Sequence, residues 1–171
     1  VCFEAPNHYL KLTARENLEF FRSLYAGDAM GVEETLALVG LEKDIDKAVG
    51  EFSKGMKPRL NFARSLMHRP ELWFLDEPTA GLDPAGRQEM LELIARTGHE
   101  FGISMLISSH LMGDIERTCD CIIVLEAGEL LEQGEVSRYT TDTETLVLEF
   151  DEGAEAVATA LAGKGIEATT E

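Results

Sequence analysis

Basic residues are scarce in this chain. Among 171 residues, 15 lysines and arginines face 32 aspartates and glutamates, which gives a formal net charge of −17. Because a nucleic-acid groove needs a basic face, this balance argues against a nucleic-acid-binding protein. An acidic, solvated surface without a specific partner is the simpler interpretation, and adaptation to high salt stays open.

Cysteines and long apolar runs are also few. Cys2, Cys119 and Cys121 form no Cys-x-x-Cys pair and lack the ligand spacing of a zinc site, so we interpret them as reduced thiols of a cytoplasmic protein. No apolar run approaches the roughly 20 residues that span a bilayer, and no signal peptide is visible. Any membrane association is therefore expected to go through a partner protein.

A third absence is the Gly-x-x-x-x-Gly-Lys-Ser/Thr pattern of phosphate-binding loops, which occurs nowhere in the chain. What is present has ordinary globular proportions, with 44% hydrophobic and 27% charged residues. The length is enough for one full core, with little left for a second domain.

The apolar run 72–75 followed by Asp76 and Glu77 is the most informative stretch. It predicts a buried parallel strand that delivers both carboxylates at its carboxyl end. Open α/β sheets bind ligands at that edge. Two adjacent carboxylates there suit a hard cation such as Mg²⁺ together with a base for water.

A helix is expected just before this strand. Ser53 is a good N-cap, so the helix is predicted to run from about Lys54 to His68. The free N–H groups at its start make an anion site, and Gly55 lets a phosphate approach the backbone closely. Pro58 is expected to kink the helix or delay its start. The predicted buried stripe consists of Met56, Leu60, Ala63 and Met67.

Two more helices are predicted upstream. Thr13 and Glu16 form a capping box, so a helix begins at Ala14 and ends at Gly27, and a second helix runs from about Val32 to Val39 before Gly40. The second helix is expected to turn Leu36 and Val39 inward. The apolar face of the first is expected to comprise Leu18, Phe20, Phe21, Leu24 and Tyr25.

Downstream, Asp83 and Pro84 predict a helix start, with the helix extending to Gly98 and turning Met90, Leu91 and Ile94 inward. The run 103–107 predicts the next strand, with His110 just past its end. Residues 121–132 predict a hairpin around Ala127-Gly128. From about Arg138 the sequence predicts a polar linker, then a strand in which apolar and polar residues alternate, and then an alanine-rich helix.

In this order and spacing, the motifs resemble the nucleotide-binding domain of ABC-type ATPases. The run 53–57 looks like the signature motif in a spelling similar to a subclass of exporter ATPases, with Lys54 and Met56 replacing the more familiar Gly and Gln. The remaining matches are 72–77 to the Walker B strand, 80–83 to the D-loop and 107–110 to the switch-histidine motif.

The resemblance implies an α/β fold: a P-loop NTPase-like (RecA-like), mostly parallel sheet core with an α-helical subdomain. It places the C-terminal portion of the ABC ATPase domain at 1–137, with the helical subdomain at about 10–52 and the core at about 53–137. A partial α+β C-terminal extension follows at 138–171. Because the family's phosphate loop lies upstream of these motifs, we expect a fragment whose N-terminal part is missing. A loop-less paralogue is the alternative.

The resemblance also implies roles at the strand ends. Glu77 would be the catalytic base that polarises or deprotonates the attacking water, and His110 would position that water. Asp76 would hold Mg²⁺, in most such sites through a water. The implied cofactors are ATP and Mg²⁺.

Further positions follow from the same resemblance. Asp83, in the D-loop, would couple two protomers, and Glu4 stands where the family carries its Q-loop glutamine, with a loop acid facing water as the alternative. The residues that would bind nucleotide in trans, on the opposite protomer, are Ser53, Lys54, Gly55 and Met56.

The implied function is the ATP-binding and hydrolysing subunit of an ABC transporter, driving export through ATP-dependent dimerisation. Its partners would be a second protomer (a homo- or heterodimer) and transmembrane permease subunits, with no nucleic acid. It would sit in the cytoplasm, peripheral on the inner face of the cell membrane. The chain alone is expected to be inactive. The alternatives are a non-catalytic fragment or partner subunit, and a soluble ABC ATPase acting on nucleic acid or ribosomes, which the acidic balance disfavours.

Overall fold

The computed structural model describes Cys2, residues 7–25, residues 27–140 and Val157. The described elements belong to one compact unit, Val1–Tyr139. Glu4 and nearly all of the predicted extension at 138–171 lie outside the described residues, so the domain boundary stays a prediction. In chain order the elements are α1 Ala14–Arg22, α2 Val32–Leu38, α3 Met56–Leu66, β1 Leu72–Asp76, α4 Pro84–Phe101, β2 Ser104–Ser108, α5 Met112–Thr118, β3 Cys121–Glu126 and β4 Glu129–Glu135.

The capping box at the start of α1 is confirmed. The Thr13 amide donates to Glu16 Oε2 at 2.8 Å, and the Glu16 amide donates to Thr13 Oγ1 at 3.1 Å. The predicted apolar face is confirmed for buried Leu18 but is wrong for Phe20, Leu24 and Tyr25. The predicted end at Gly27 is wrong, because α1 stops at Arg22 and Ser23 caps it. Beyond that point, Leu24 and Tyr25 no longer follow the helical period. They are exposed, as is Phe20, which instead packs edge-to-face on Tyr9.

Helix α2 matches its prediction more closely. Leu36 and Val39 are buried, and Gly40 follows with a φ of 70°, a left-handed conformation that glycine adopts without steric cost. Helix α3 begins at Met56, two residues later than predicted, which confirms the expected delay at Pro58. There, Pro58 is the third helical residue, where an N–H would have no intrahelical acceptor. The helix ends at Leu66 rather than His68, and its stripe is buried as predicted except for half-buried Met56.

Strand β1 pairs in parallel with β2, in a register that runs from Leu72 opposite Ser104 to Asp76 opposite Ser108. On the other edge of β1, the backbone amide of Cys2 donates to the Phe74 carbonyl at 2.8 Å. The prediction that β1 is buried on both faces is wrong, because burial alternates along it. Trp73 and Leu75 point into the core, while Leu72 is 52% and Phe74 42% exposed.

The buried face of β1 is covered by α3. The Trp73 indole donates to Ser65 Oγ at 3.0 Å, and its ring lies 4.3 Å from that of Phe62, centroid to centroid. A buried indole N–H needs such an acceptor, so this contact fixes how α3 lies on the strand. Among the described residues, the opposite face of β1 carries no comparable helix, which explains the alternation.

Helix α4 starts as predicted, with Asp83 Oδ1 accepting the Gly86 amide at 3.3 Å and Pro84 at the first position. Its predicted end at Gly98 is wrong: it continues to Phe101, and Gly102 supplies the left-handed cap with a φ of 60°. Gly98 has a packing role instead, because a Cβ there would lie 2.9 Å from Met105 Cε. Strand β2 begins one residue later than predicted, at Ser104.

Strands β3 and β4 form the predicted antiparallel hairpin, in a two-stranded sheet of their own. Ala127 and Gly128 both have positive φ, 50° and 84°, as a two-residue hairpin turn with the right twist requires. None of the described helices is long and apolar enough to cross a membrane.

Candidate functional site

The site lies where β1 and β2 end. The parallel register sets Asp76 directly opposite Ser108, so the residues that follow each strand leave the same edge of the sheet together. Glu77 comes directly after β1, and His110 follows β2 by two residues. The structure thus brings His110 into contact with Glu77, beside Asp76, although the sequence singled out the histidine and the adjacent carboxylates separately.

Ser108 joins the two carboxylate residues. Its hydroxyl donates to Asp76 Oδ1 at 2.8 Å and accepts the backbone N–H of Glu77 at 2.8 Å. One hydroxyl therefore holds the Asp76 side chain and the Glu77 backbone at once. Sequence reasoning did not assign Ser108 a role. The signal was its place at the end of the second apolar run, which becomes informative once the two strands are known to be neighbours.

Glu77 and His110 are in direct contact. His110 Nδ1 lies 3.0 Å from both Oε1 and Oε2 of Glu77. The Glu77 side chain is 25% exposed and that of His110 is 70% exposed, so the pair sits at the rim of the site and is reachable from solvent. Glu77 also has a φ of 44°, a left-handed conformation that is costly for a residue with a Cβ and more so before a proline.

The donor set at Asp76 fits a magnesium ion shared with a phosphate. Mg²⁺ typically takes one or two protein carboxylates and completes its octahedron with phosphate oxygens and water. Asp76 is exposed at the strand tip, with one oxygen already oriented by Ser108. Within the described residues, no group of three or more His, Cys, Asp or Glu side chains forms a protein-only metal cage.

The turn that begins α3 has fewer free N–H groups than expected. Ser53 Oγ accepts the Met56 amide at 3.2 Å, and Pro58 has no N–H. The Ser53 hydroxyl hydrogen is consequently free to donate to an oxygen outside this turn. No atom would lie within 4 Å of a Cβ at Gly55, so the space above this residue is open. Ser53 and Lys54 are exposed, while Gly55 and Met56 are half-buried.

The signature residues do not join the Glu77–His110 pair within this chain. In the part of the chain that the structure describes, no hydrogen bond or ion pair links 53–56 to the residues at the strand ends. Asp83 is exposed, and its carboxylate serves as the cap of α4. Glu4 lies outside the described residues.

Three comparisons relate this chain to known proteins. The family model described as ABC transporter matches residues 1–80. The fluoroquinolones export ATP-binding protein of Mycobacterium tuberculosis is 45% identical over 131 residues, which are 77% of this chain and 43% of that protein. The bacitracin transport ATP-binding protein BcrA of Bacillus licheniformis is 45% identical over 131 residues, 76% of this chain and 43% of that protein.

Solved structures of ATP-binding cassettes and ABC transporter components are also similar to this chain. An ATP-binding cassette in a dimeric post-hydrolysis state, bound to ADP and Pi, matches with a TM-score of 0.67 and 25% identity, covering 79% of this chain and 61% of that one. The structure of cbiO1 from Clostridium perfringens, part of an ABC transporter complex, matches with a TM-score of 0.68 and 26% identity, covering 91% of this chain and 60% of that one. The chain spans less than half the length of the curated relatives named above.

Proposed function

The chain belongs to the family of ABC transporter ATP-binding proteins, and on that premise we propose that its complete gene product hydrolyses ATP to drive export across a membrane. The observation that carries the proposal is the contact between Glu77 and His110 beside the exposed carboxylate of Asp76. It joins an acid, an imidazole and a cation ligand at the edge of the sheet where open α/β folds bind ligands.

Each of these residues has a task in phosphoryl transfer. Glu77 accepts the proton of the attacking water or polarises it, and His110 keeps the Glu77 carboxylate and the water in position. Asp76 is the magnesium ligand, with its orientation fixed by Ser108. Magnesium, when bound, neutralises charge on the phosphate oxygens. Because this reaction depends mostly on positioning and charge neutralisation, well-held side chains are what the protein must supply.

The signature residues act on the nucleotide of a second protomer. Ser53 has an unused hydroxyl hydrogen, and Gly55 leaves open space at the start of α3. Both features suit a phosphate approaching from outside the chain, and Lys54 and Met56 flank that position. Asp83 couples the two sites across the dimer, and Glu4 serves as the Q-loop residue.

The transport partners are membrane-spanning permease subunits, and the protein acts on the cytoplasmic face of the membrane, without nucleic acid. The relative named for fluoroquinolones export supports export as the direction. The substrate is chosen by the permease. A soluble ABC ATPase is the weaker alternative, because the net charge of −17 opposes a nucleic-acid partner.

The second candidate function is a non-catalytic partner subunit that offers Ser53 and Gly55 in trans. The absence of a phosphate loop from these 171 residues favours it for the chain by itself. We therefore expect the 171-residue chain alone to bind ATP weakly and not to turn it over. Micromolar binding in calorimetry, or multiple turnovers by the pure chain, would contradict this expectation.

The test of the proposed function compares the complete gene product with its Glu77→Gln variant. The amide keeps the size of the side chain but cannot accept a proton, so ATP hydrolysis should fall by ~10²-fold or more. ATP should still bind, and the dimer should accumulate in its ATP-bound form, seen as an earlier peak in size-exclusion with Mg-ATP. Glu129→Gln, in the exposed hairpin, is the matched control. Hydrolysis by Glu77→Gln at near the parent rate would overturn the assignment.

A further inference from the structure

A buried contact joins the two chain segments that carry Glu77 and His110. Thr79 Oγ1 donates to Asp114 Oδ2 at 2.8 Å. Thr79 is 3% exposed and Asp114 is 6% exposed. Thr79 follows Glu77 by two residues, and Asp114 follows His110 by four, in the first turn of α5. A buried carboxylate needs a hydrogen-bond donor, and Thr79 supplies one to Asp114.

The contact is the innermost of four that connect the segments. The others are the two hydrogen bonds of Ser108, to the Asp76 carboxylate and the Glu77 amide, and the Glu77–His110 contact itself. These three involve exposed or half-exposed groups, which water competes for. The Thr79–Asp114 hydrogen bond is shielded, and it lies beyond the strand pairing that would otherwise hold the segments in register.

The backbone of Glu77 explains why an anchor is needed there. Its φ of 44° is disfavoured, and the following residue is a proline, whose ring restricts the residue before it. A conformation of this kind persists only when its surroundings hold it. Ser108 holds the Glu77 amide from one side, and the anchored hydroxyl of Thr79 holds the chain from the other, across the buried and rigid Pro78.

We infer that Asp114 is a positioning residue: through Thr79 it fixes the strained backbone of Glu77 and thereby keeps the carboxylate in line with His110. The inference rests on the proposed function, which assigns Glu77 its chemical task. Asp114 touches neither the substrate nor the reacting atoms. Its effect is geometric, and a misplacement of about 1 Å at a reacting group can cost on the order of 10²-fold in rate.

The experiment uses the complete gene product with three variants. Thr79→Val keeps the shape but removes the hydroxyl, Asp114→Ala removes the acceptor, and Thr79→Ser keeps the hydroxyl and should rescue. Glu116→Gln, an exposed acid on the same helix, is the matched control. The measurements are kcat and KM for Mg-ATP, the thermal midpoint, and the hydrogen-exchange rate of the Glu77 amide.

We expect Thr79→Val and Asp114→Ala to lower kcat by roughly ten-fold, with KM within about three-fold of the parent value, as loss of alignment without loss of binding requires. The Glu77 amide should exchange faster in both variants. Without the anchor at Thr79 the backbone of Glu77 is held less firmly, so the hydrogen bond from its amide to Ser108 opens more often. Thr79→Ser and Glu116→Gln should match the parent. A lowered melting temperature with unchanged kcat and unchanged exchange at Glu77, measured well below that temperature, would overturn the inference.

Two of these measurements, kcat and the exchange rate of the Glu77 amide, separate this inference from the proposed function. If the parent protein does not hydrolyse ATP, the proposed function fails, and the exchange rate of the Glu77 amide decides the positioning role by itself. Faster exchange in Thr79→Val than in Thr79→Ser supports it, and equal exchange overturns it. If Asp114→Ala does not fold, the Thr79 pair still decides, because valine and serine both fit the site of threonine.

Discussion

His110 Nδ1 lies at the same distance, 3.0 Å, from the two carboxylate oxygens of Glu77. An ionised carboxylate only accepts hydrogen bonds, so a hydrogen bond to ionised Glu77 requires the tautomer of His110 in which Nδ1 is the donor. The acid that we assign as the base is therefore held by an imidazole of its own chain. The pair is a preformed unit, and its two members can be tested separately.

Removing the imidazole should impair hydrolysis more than binding. In His110→Ala, Glu77 loses its side-chain partner and the water loses an orienting group, so ATP hydrolysis should fall by ~10²-fold or more. ATP affinity, measured by calorimetry on the complete gene product, should change by only a few-fold. His99→Ala, at an exposed position near the end of α4, is the control. Hydrolysis by His110→Ala at the parent rate would separate His110 from the reaction.

Asp76→Asn should act through the metal. The amide oxygen still accepts the Ser108 hydroxyl, so the local fold should persist. A neutral ligand binds Mg²⁺ more weakly than a carboxylate does, so the concentration of Mg²⁺ that gives half-maximal hydrolysis should rise by ~ten-fold or more. Unlike Glu77→Gln, this variant should not give a stable ATP-bound dimer. An unchanged Mg²⁺ titration, with exposed Asp120→Asn as the reference, would remove Asp76 from the metal site.

Gly55→Ala should leave the fold intact and weaken the dimer. Gly55 has an ordinary φ of −80°, and no atom lies within 4 Å of the position that a Cβ would take. The free energy of unfolding should therefore change by no more than ~0.5 kcal/mol. The same methyl group would occupy the space that we assign to the partner's nucleotide, so ATP-dependent dimerisation should weaken by ~ten-fold, or ~1.4 kcal/mol. Gly27→Ala, also in open space, is the control, and an unaffected dimer would contradict the trans assignment.

Stability should fall in acid through His8. Nε2 of His8 donates to the Lys57 carbonyl at 3.0 Å, which stabilises the ring in place. Burial lowers the pKa of His8 to about 4, from an ordinary value of 6.5, and the positive charges of Arg64 and Lys57 act in the same direction. Between these two values the unfolded chain binds a proton that the folded chain does not. This contribution to stability is therefore complete above about pH 6.5 and is lost as the pH falls toward 4.

The measurement for His8 is the urea midpoint at several pH values between 7 and 4. A His8→Gln variant, which can still donate to the Lys57 carbonyl, should lose less stability over this range than the parent. A His99→Gln variant, changed at an exposed position, should follow the parent curve. Identical pH dependence in the parent and His8→Gln would show that His8 does not titrate in this way.

The 171-residue chain by itself should self-associate. Phe74 of β1 and Leu106 of β2 are paired across the strands and are 42% and 49% exposed, with Leu72 beside them on the same face. In the hairpin, Ile123 and Leu125 are also exposed. Contiguous apolar side chains exposed on strands are typical of association sites. Light scattering should show mass rising with concentration, and Leu106→Lys should reduce it. A sharp monomer peak over a wide concentration range would contradict the prediction.

Much of the local structure follows from the sequence, because its causes are local. The capping box of Thr13 and Glu16, the Asp83-Pro84 helix start and the Ala127-Gly128 turn depend on residues a few positions apart. The adjacent pair Asp76-Glu77 after an apolar run likewise predicted its own place at a strand tip. These features need no knowledge of the rest of the chain.

The wrong predictions share one cause. Whether a side chain is buried depends on which distant parts of the chain pack against it. Leu72 and Phe74 have the side chains of a doubly buried strand, yet α3 covers only the face of Trp73. The sequence predicts a helix end at Gly98, but α4 continues past it. Gly98 instead leaves room for the side chain of Met105, which belongs to the following strand, β2. No local pattern carries that information.

The sequence by itself determined which residues could do the chemistry: two adjacent carboxylates, a histidine after a second strand and a Ser-Lys-Gly turn. Only the tertiary structure decided that Glu77 contacts His110, that Ser108 bonds the Asp76 carboxylate and the Glu77 amide, and that Asp114 accepts from Thr79. The physical reason is the register between β1 and β2. Residues 31 to 35 positions apart become neighbours only when two strands align at one edge of a sheet.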